Sequence, residues 1–286
     1  MSRLLLTPLL FILFLGLSPR IAFAKVPKPL ALVYSGPGIC AECDDDLIKA
    51  FRKAGFEARK ISPGHFTDKN LAKAAVVAIP GGDEEGVVKN AFHAGEAERI
   101  KKYVESGGHY LGVCLGAYIA APKLYTYDRA PARFKKKPGE EDPGLNLFDG
   151  KVKNHSGDKL ARDEKVLWKG KPYEMYFQDG PEFILNPDAH AEIWAKYSDG
   201  AIAAFQSPLG NGRVGLLGPH LEADLSWYAV EHLKAPEYLN QERFSEFVHA
   251  LIGDAQTKSE PTIQESCPHQ DIQNTVDDIA PALRSI

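Results

Sequence analysis

Cysteine is scarce: Cys40, Cys43, Cys114 and Cys267 are the four in a chain of 286 residues. Four are too few to staple a fold of this length, so a buried apolar core has to hold it together. Excess positive charge is missing as well. The formal net charge is −4, and the one basic run, Lys135–Lys137, is answered at once by Glu140, Glu141 and Asp142. This removes any electrostatic case for nucleic acid or an anionic membrane surface as partner. No internal repeat is present, which excludes solenoid and propeller architectures. Beyond residue 24 no apolar run approaches the length of a membrane span. What is present, 44 % hydrophobic and 25 % charged residues, suits a globular α/β domain with a sizeable core.

The first apolar run, LLLTPLLFILFLGL, is preceded by Arg3 and followed by Ala22-Phe23-Ala24. A positive start, a short apolar core and a small-x-small site make the pattern of a secretory signal peptide over 1–24. The mature chain is expected to begin at Lys25 and to be exported, periplasmic or secreted, with no membrane attachment after cleavage. In an oxidising compartment the CAEC pair, Cys40 and Cys43, can close a disulfide and leave Cys114 free.

From 25 to 255 the chain reads as one domain. PLALVYS is a buried strand; Asp44, Asp45 and Asp46 then favour the positive end of a helix with Leu47, Ile48, Phe51 and Ala54 on its apolar face. Gly55 closes that helix. FEARKIS and the continuous apolar run AAVVAIP are further strands, the second of a kind buried on both faces. GEAERIKKYVES is a helix stopped by Gly107-Gly108, and HYLGV supplies the next strand. Alternating strands and helices with short Gly-rich joints predict a three-layer αβα sandwich around a mostly parallel, flavodoxin-like sheet. Between about 125 and 210 short alternating pieces, KVLW, YEMYF, AEIWAKY and AIAAFQ, predict an antiparallel extension or lid. GRVGLLGPH returns to buried-strand character, and ADLSWYAVEHL and ERFSEFVHALIG are two closing helices. Residues 256–286 are polar and Pro-dotted and are expected to form a disordered tail.

The chemistry concentrates in GGHYLGVCLGAYIAAP. Gly112, Cys114 and Gly116 spell G-x-C-x-G, the cysteine counterpart of the nucleophile elbow, in which the nucleophile caps a strand and opens a helix. Helix N-terminal N–H groups favour a thiolate there, and the N–H of Leu115 can face a developing oxyanion. A second donor is expected from Gly82 or Asp83 in IPGGDE, whose strand ends at the same sheet edge. The thiol also needs a base held by a third group. His220 follows an apolar strand, and Glu222, two residues on, can lie on the same side and hold the imidazole.

These residues resemble a known family. LGVCLGAY, IPGGDE and GPHLE are similar to the motifs of the class I glutamine amidotransferase-like superfamily. LVYSGPG, GGHYLGVCLGAY, GLNLFDG, YFQDGPEF and LLGPHLE resemble, in order, the domain at the N-terminus of eukaryotic biotin–protein ligases and its stand-alone bacterial relatives. The resemblance spans roughly residues 29 to 252. It implies Cys114 as nucleophile, His220 as base and Glu222 as its orienter. It does not imply a biotin ligase, since no segment resembles that enzyme's adenylate loop. The family's GPHPE stands here as Gly218-Pro219-His220-Leu221-Glu222, with Leu221 in place of the proline.

Three readings stay open. One is a cysteine hydrolase or amidase acting through an acyl-thioester at Cys114 on a small-molecule or peptide-like substrate. The second is a binding module on the same fold, its triad unused. In either, SGPG (Gly36, Gly38) and FQDGPEF (Asp179, Gly180) would line the cleft. The third is thiol–disulfide chemistry at Cys40 and Cys43, against which the aspartates 44–46 disfavour a thiolate. No metal or other cofactor is called for by these residues, and the oligomeric state is left open.

Overall fold

The computed structural model describes residues 27–82, 85–124, 143–234 and 236–253. The expected signal peptide, the tail over 256–286, the run Lys135–Lys137 and the oxyanion candidate Asp83 lie outside the described residues. Among those described, no helix is long and apolar enough to cross a membrane.

The chain opens with β1 (Leu30–Tyr34), α1 (Cys43–Lys53), β2 (Glu57–Ile61), α2 (Asp68–Leu71), β3 (Val76–Ile79), α3 (Glu85–Ala91), α4 (Glu96–Glu105), β4 (His109–Val113) and α5 (Leu115–Ala120). Then come β5 (Gly150–Asn154), β6 (Arg162–Trp168), β7 (Lys171–Phe177), β8 (Pro181–Leu185), β9 (Glu192–Tyr197), β10 (Ile202–Leu209) and β11 (Gly212–Leu217). Helices α6 (Leu225–Val230) and α7 (Gln241–Leu251) close the fold. Most of these follow the sequence pattern. Helix α1 carries three aspartates in its first turn and Arg52 and Lys53 in its last, both signs matching the helix dipole. It ends through Gly55 at φ 90°, a conformation that favours glycine. The short helices α2 and α3 are additional to the expected elements. Helix α6 stops at Val230 rather than running on to Leu233, because Glu231 caps it and His232 turns to φ 54°.

All eleven strands join one sheet, in the order β2-β1-β3-β4-β11-β10-β9-β6-β7, with β5 and β8 attached through β8 to β10. The first five in that order are parallel. The rest are antiparallel, so the extension is as substantial as the parallel part. Along β1, Ala31 and Val33 face one apolar layer while Leu32 and Tyr34 face the other. The first layer is completed by Leu47, Ile48 and Phe51 of α1 and by Phe244, Phe247 and Val248 of α7. The second is completed by Ile100 and Val104 of α4 and by the whole of α5. Both faces of the inner parallel strands β1, β3 and β4 are thus covered, which is why their sequences are nearly continuous apolar runs, whereas the edge strand β2 keeps Glu57, Arg59 and Lys60 exposed. Phe51 meets Phe56 and Phe244 edge-on at 5.2 Å each. Such pairs add about 0.5–1.5 kcal/mol beyond the area they bury.

The sandwich fixes where chemistry can occur. The loops after β3, β4 and β11 all leave the carboxyl ends of adjacent parallel strands. Gly82, Cys114 and His220 lie on those three loops.

Candidate active site

Cys114 sits between β4 and α5 at φ 49° and ψ −105°, a left-handed backbone that a non-glycine residue adopts at a cost of about 1–3 kcal/mol. The turn is held from three sides. The Cys114 N–H donates to the Leu217 carbonyl at 2.8 Å, its carbonyl accepts from the N–H groups of Ala117 and Tyr118, and the Tyr110 hydroxyl donates to the Gly116 carbonyl at 2.7 Å. The flanking glycines are needed for space. A Cβ at Gly112 would lie 2.5 Å from the Gly116 carbonyl oxygen, and one at Gly116 would lie 2.0 Å from that of Ile79. With six residues, α5 has fewer than two turns of aligned peptides. Its dipole is therefore a smaller aid to a thiolate than the sequence implies, and a charged partner matters more.

That partner is His220. Its N–H donates to the Tyr176 carbonyl at 2.9 Å, and its Nδ1 lies 2.8 Å from Glu222 Oε1. Cys114 is near enough for its charge to act on the ring. Both His220 and Glu222 are buried, and Glu222 Oε2 has no hydrogen-bond partner among the described residues. Burial alone would lower the His220 pKa. The charges of Glu222 and Cys114, with the hydrogen bond to Glu222, outweigh it and push the pKa up to about 10. The site thus favours an imidazolium. The rings of Tyr176 and Trp227 flank His220 at centroid separations of 5.9 and 5.0 Å, and Trp227 is itself anchored by its Nε1–H to Asp46 at 2.7 Å. Leu221, between His220 and Glu222, is buried in the apolar layer under α1 and α7.

The other expected site residues fall into two groups. Gly81 and Gly82 reach the site. A Cβ at Gly81 would lie 2.6 Å from His220 Cε1, and one at Gly82 would lie 2.8 Å from a Leu115 methyl carbon. The N–H groups of Gly82 and Leu115 have no acceptor among the described residues. Gly38 is beside them, its carbonyl oxygen 2.4 Å from where a Gly82 Cβ would stand. Gly36 is instead packed on Tyr34 and Pro63. Asp179, at φ 56°, is buried and engaged: its carbonyl accepts from the Tyr118 hydroxyl at 3.0 Å, and its carboxylate accepts from Asn154 Nδ2. Gly180 lies against the Gly218 carbonyl. These two residues brace the cleft wall.

Four residues that the sequence reading did not single out also belong here. The Gln178 carbonyl accepts from the Cys114 thiol at 3.6 Å, covering the sulfur from the β7–β8 loop. Tyr176 bridges to His220, and Tyr118 and Asn154 tie that loop to α5. Gln178 and Tyr118 lie inside quoted motifs, so the motif edges were their only signal. Asn154 carries none.

Cys40 and Cys43 are joined as a disulfide with Cα atoms 5.4 Å apart, and Cys114 is the free cysteine among the described residues. Asp44 pairs with Lys60 at 3.0 Å and Asp46 with Lys49. One set of potential metal ligands, His155, Glu182 and Asp199, brings donor atoms within 4.8 Å of one another. Glu182 there is already paired with Lys153 at 2.8 Å and His155 at 3.0 Å, and Asp199 accepts from the Ala201 N–H. Ordinary ion pairing accounts for that cluster.

The fold has counterparts among known proteins. Residues 30–137 match the family described as biotin-protein ligase, N terminal. An uncharacterized protein of Chlamydia muridarum (strain MoPn / Nigg) is 25 % identical over 246 residues, covering 77 % of this chain and 93 % of its own. Among solved structures, a glutamine amidotransferase from Thermotoga maritima superposes with a TM-score of 0.51 at 13 % identity, over 79 % of this chain and 96 % of its own. PurLQS from Thermotoga maritima gives 0.48 at 21 % identity, over 68 % and 88 %. The chain thus has the class I glutamine amidotransferase-like α/β fold and carries a biotin–protein ligase N-terminal-like segment.

Proposed function

We propose that this protein is an exported cysteine-nucleophile hydrolase or amidase, periplasmic or secreted, acting on an amide or similar acyl group of a small or peptide-like substrate. One observation carries the reading: a strained elbow cysteine faces a buried histidine whose far nitrogen is held 2.8 Å from a buried carboxylate. The Cys40–Cys43 disulfide supports export, since such bonds persist in oxidising compartments.

The proposed reaction follows from these positions. With the thiol proton on His220, the Cys114 sulfur attacks the carbonyl carbon, and the carbonyl π electrons move to oxygen. The N–H groups of Leu115 and Gly82 receive that oxyanion. Collapse of the tetrahedral intermediate expels the amine, which takes the proton from His220, and leaves a thioester. Thioester formation removes the sulfur's negative charge, one of the contributions that raise the His220 pKa. His220, having given its proton to the amine, stays neutral at this stage and accepts one from water, whose oxygen attacks the thioester. The acid leaves and Cys114 regains its proton.

A specific observation favours a second reading, a binding module on the same fold. Cys114 is only 4 % exposed, with the Gln178 carbonyl against its sulfur. The enzyme therefore requires the β7–β8 loop to yield to substrate, whereas a binder does not. Intact-mass analysis of the mature protein after exposure to a γ-glutamyl-mimicking electrophile separates the two. The enzyme gives one adduct, mapped to Cys114; a folded protein that never forms it is not a cysteine hydrolase.

A further inference from the structure

The disulfide and the oxyanion loop, read from the sequence as separate features, share a backbone. Cys40 donates its N–H to the Gly81 carbonyl at 3.3 Å, and Ile39 forms an antiparallel bridge with Gly82. Gly81 and Gly82 in turn press on the two halves of the catalytic arrangement, the His220 ring and the Leu115 side chain. The β1–α1 loop that makes these contacts is itself held: the Ser35 N–H donates to the Ile61 carbonyl at 2.9 Å, and Ile39 packs on the second apolar layer. At its start the Tyr34 hydroxyl donates to the Pro37 carbonyl at 2.9 Å. At its end Cys40 is linked to Cys43, the first residue of α1, across a span that includes Glu42 at φ 64°. A non-glycine residue in that conformation relaxes unless its surroundings impose it.

We infer that the Cys40–Cys43 disulfide is a positioning element for the Cys114 site, clamping the loop that holds the Gly82 N–H in place for an oxyanion. The inference rests on the hydrolase reading above. Closing the bond fixes residues 40 to 43 to the start of α1, and through Cys40 and Ile39 this fixes Gly81 and Gly82. Opening it by a dithiol adds two electrons and two protons, giving two thiols while the dithiol closes to its own disulfide. The loop keeps the backbone hydrogen bonds from Cys43 N–H to the Cys40 carbonyl and from Asp46 N–H to the Glu42 carbonyl but loses its covalent cross-link to α1, and Gly82 is held less firmly. The elbow changes less, because its supports are the Leu217 carbonyl, the Tyr110 hydroxyl and the Pro80 carbonyl at the end of β3, none of them on the β1–α1 loop. The site is thus completed only where the disulfide can form, and a chain kept reduced is folded but poorly active.

The effect is specific to acyl transfer. Acylation passes through an oxyanion and needs the Gly82 N–H; alkylation by iodoacetamide is a displacement at carbon and does not. The test compares the rate of Cys114 acylation by a p-nitrophenyl ester with its alkylation by iodoacetamide, each mapped by mass to the Cys114 peptide. Three forms are used: the oxidised protein, the same protein reduced by a dithiol and desalted, and Cys40→Ser/Cys43→Ser. Loss of one oxyanion donor costs about 10²–10³-fold where measured. Loosening it should cost acylation about tenfold or more while alkylation changes by less than about threefold. The reduced wild type gives the answer even if the double variant folds poorly. An acylation-to-alkylation ratio equal in oxidised and reduced protein overturns the clamp and leaves the hydrolase reading intact. Oxidised protein that is alkylated but never acylated overturns both.

Discussion

Strands β1, β3, β4 and β11 bury nearly every residue, whereas β5 and the last four residues of β6 alternate buried with exposed positions and β9 mixes the two. The two halves of the sheet contribute differently to the site. The parallel half delivers Gly82, Cys114 and His220 from three neighbouring strand ends, where helices on both faces keep the backbone rigid. The antiparallel half delivers no triad residue. It supplies the cover: Gln178 on the sulfur, Tyr176 against the imidazole, and Asn154 holding Asp179. The candidate triad is carried by the half covered on both faces, and the groups that cover it come from the other half.

The largest effect that would sharpen this division is at His220. His220→Gln removes the proton carrier and should lower Cys114 acylation by about 10²–10⁴-fold, measured by mass-resolved labelling. An equal loss from any cover residue would break the comparison. Packing gives the next contrast. Phe51→Ala empties a fully buried position of the α1 layer and should cost about 3–5 kcal/mol in urea unfolding. Leu167→Ala, on the half-exposed face of β6, should cost under about 1 kcal/mol. Equal costs would show the halves to be equally stabilising.

A smaller effect is expected at the cover. Asn154→Ala removes one hydrogen bond from each of the Asp179 carboxylate and the Tyr118 hydroxyl, and should change acylation about tenfold or less with stability reduced by about 1–2 kcal/mol. Its effect should fall on substrate affinity more than on turnover, because Asn154 touches no triad residue. The last contrast is in pH dependence. The folded-state pKa of His220 is raised to about 10 from 6.5, so its bound proton stabilises the fold. That contribution is full below about 6.5 and is lost progressively as pH rises through about 10. The stability deficit of His220→Gln should therefore be largest in mild acid and shrink toward pH 10. A deficit independent of pH would mean that His220 is held neutral.

The same division explains what could be read from the sequence. AAVVAIP and HYLGV announce themselves because strands covered on both faces can only be apolar, and the G-x-C-x-G glycines mark contacts too close for a side chain. His220 and Glu222 were legible because they are two residues apart on one strand end. Strand β8 was not. PEFIL begins with proline and carries Glu182, whose partners Lys153 and His155 are far away in the sequence, so it passed as part of a cleft loop. Nor was Asn154 legible, since its value comes from Asp179 and Tyr118, which only the fold brings near. The link from Cys40 to Gly81 was likewise hidden, being a single backbone hydrogen bond between loops.

The central claim is that Cys114 reacts because His220 takes its proton. The most direct test is the iodoacetamide alkylation rate of Cys114 in wild type and His220→Gln across a pH series. The wild type should react faster at neutral pH. The gap should close as pH rises past the free-cysteine range of about 8.5 toward the point where His220 itself loses its proton. Identical rates at every pH, or no alkylation until the protein is denatured, would contradict the account.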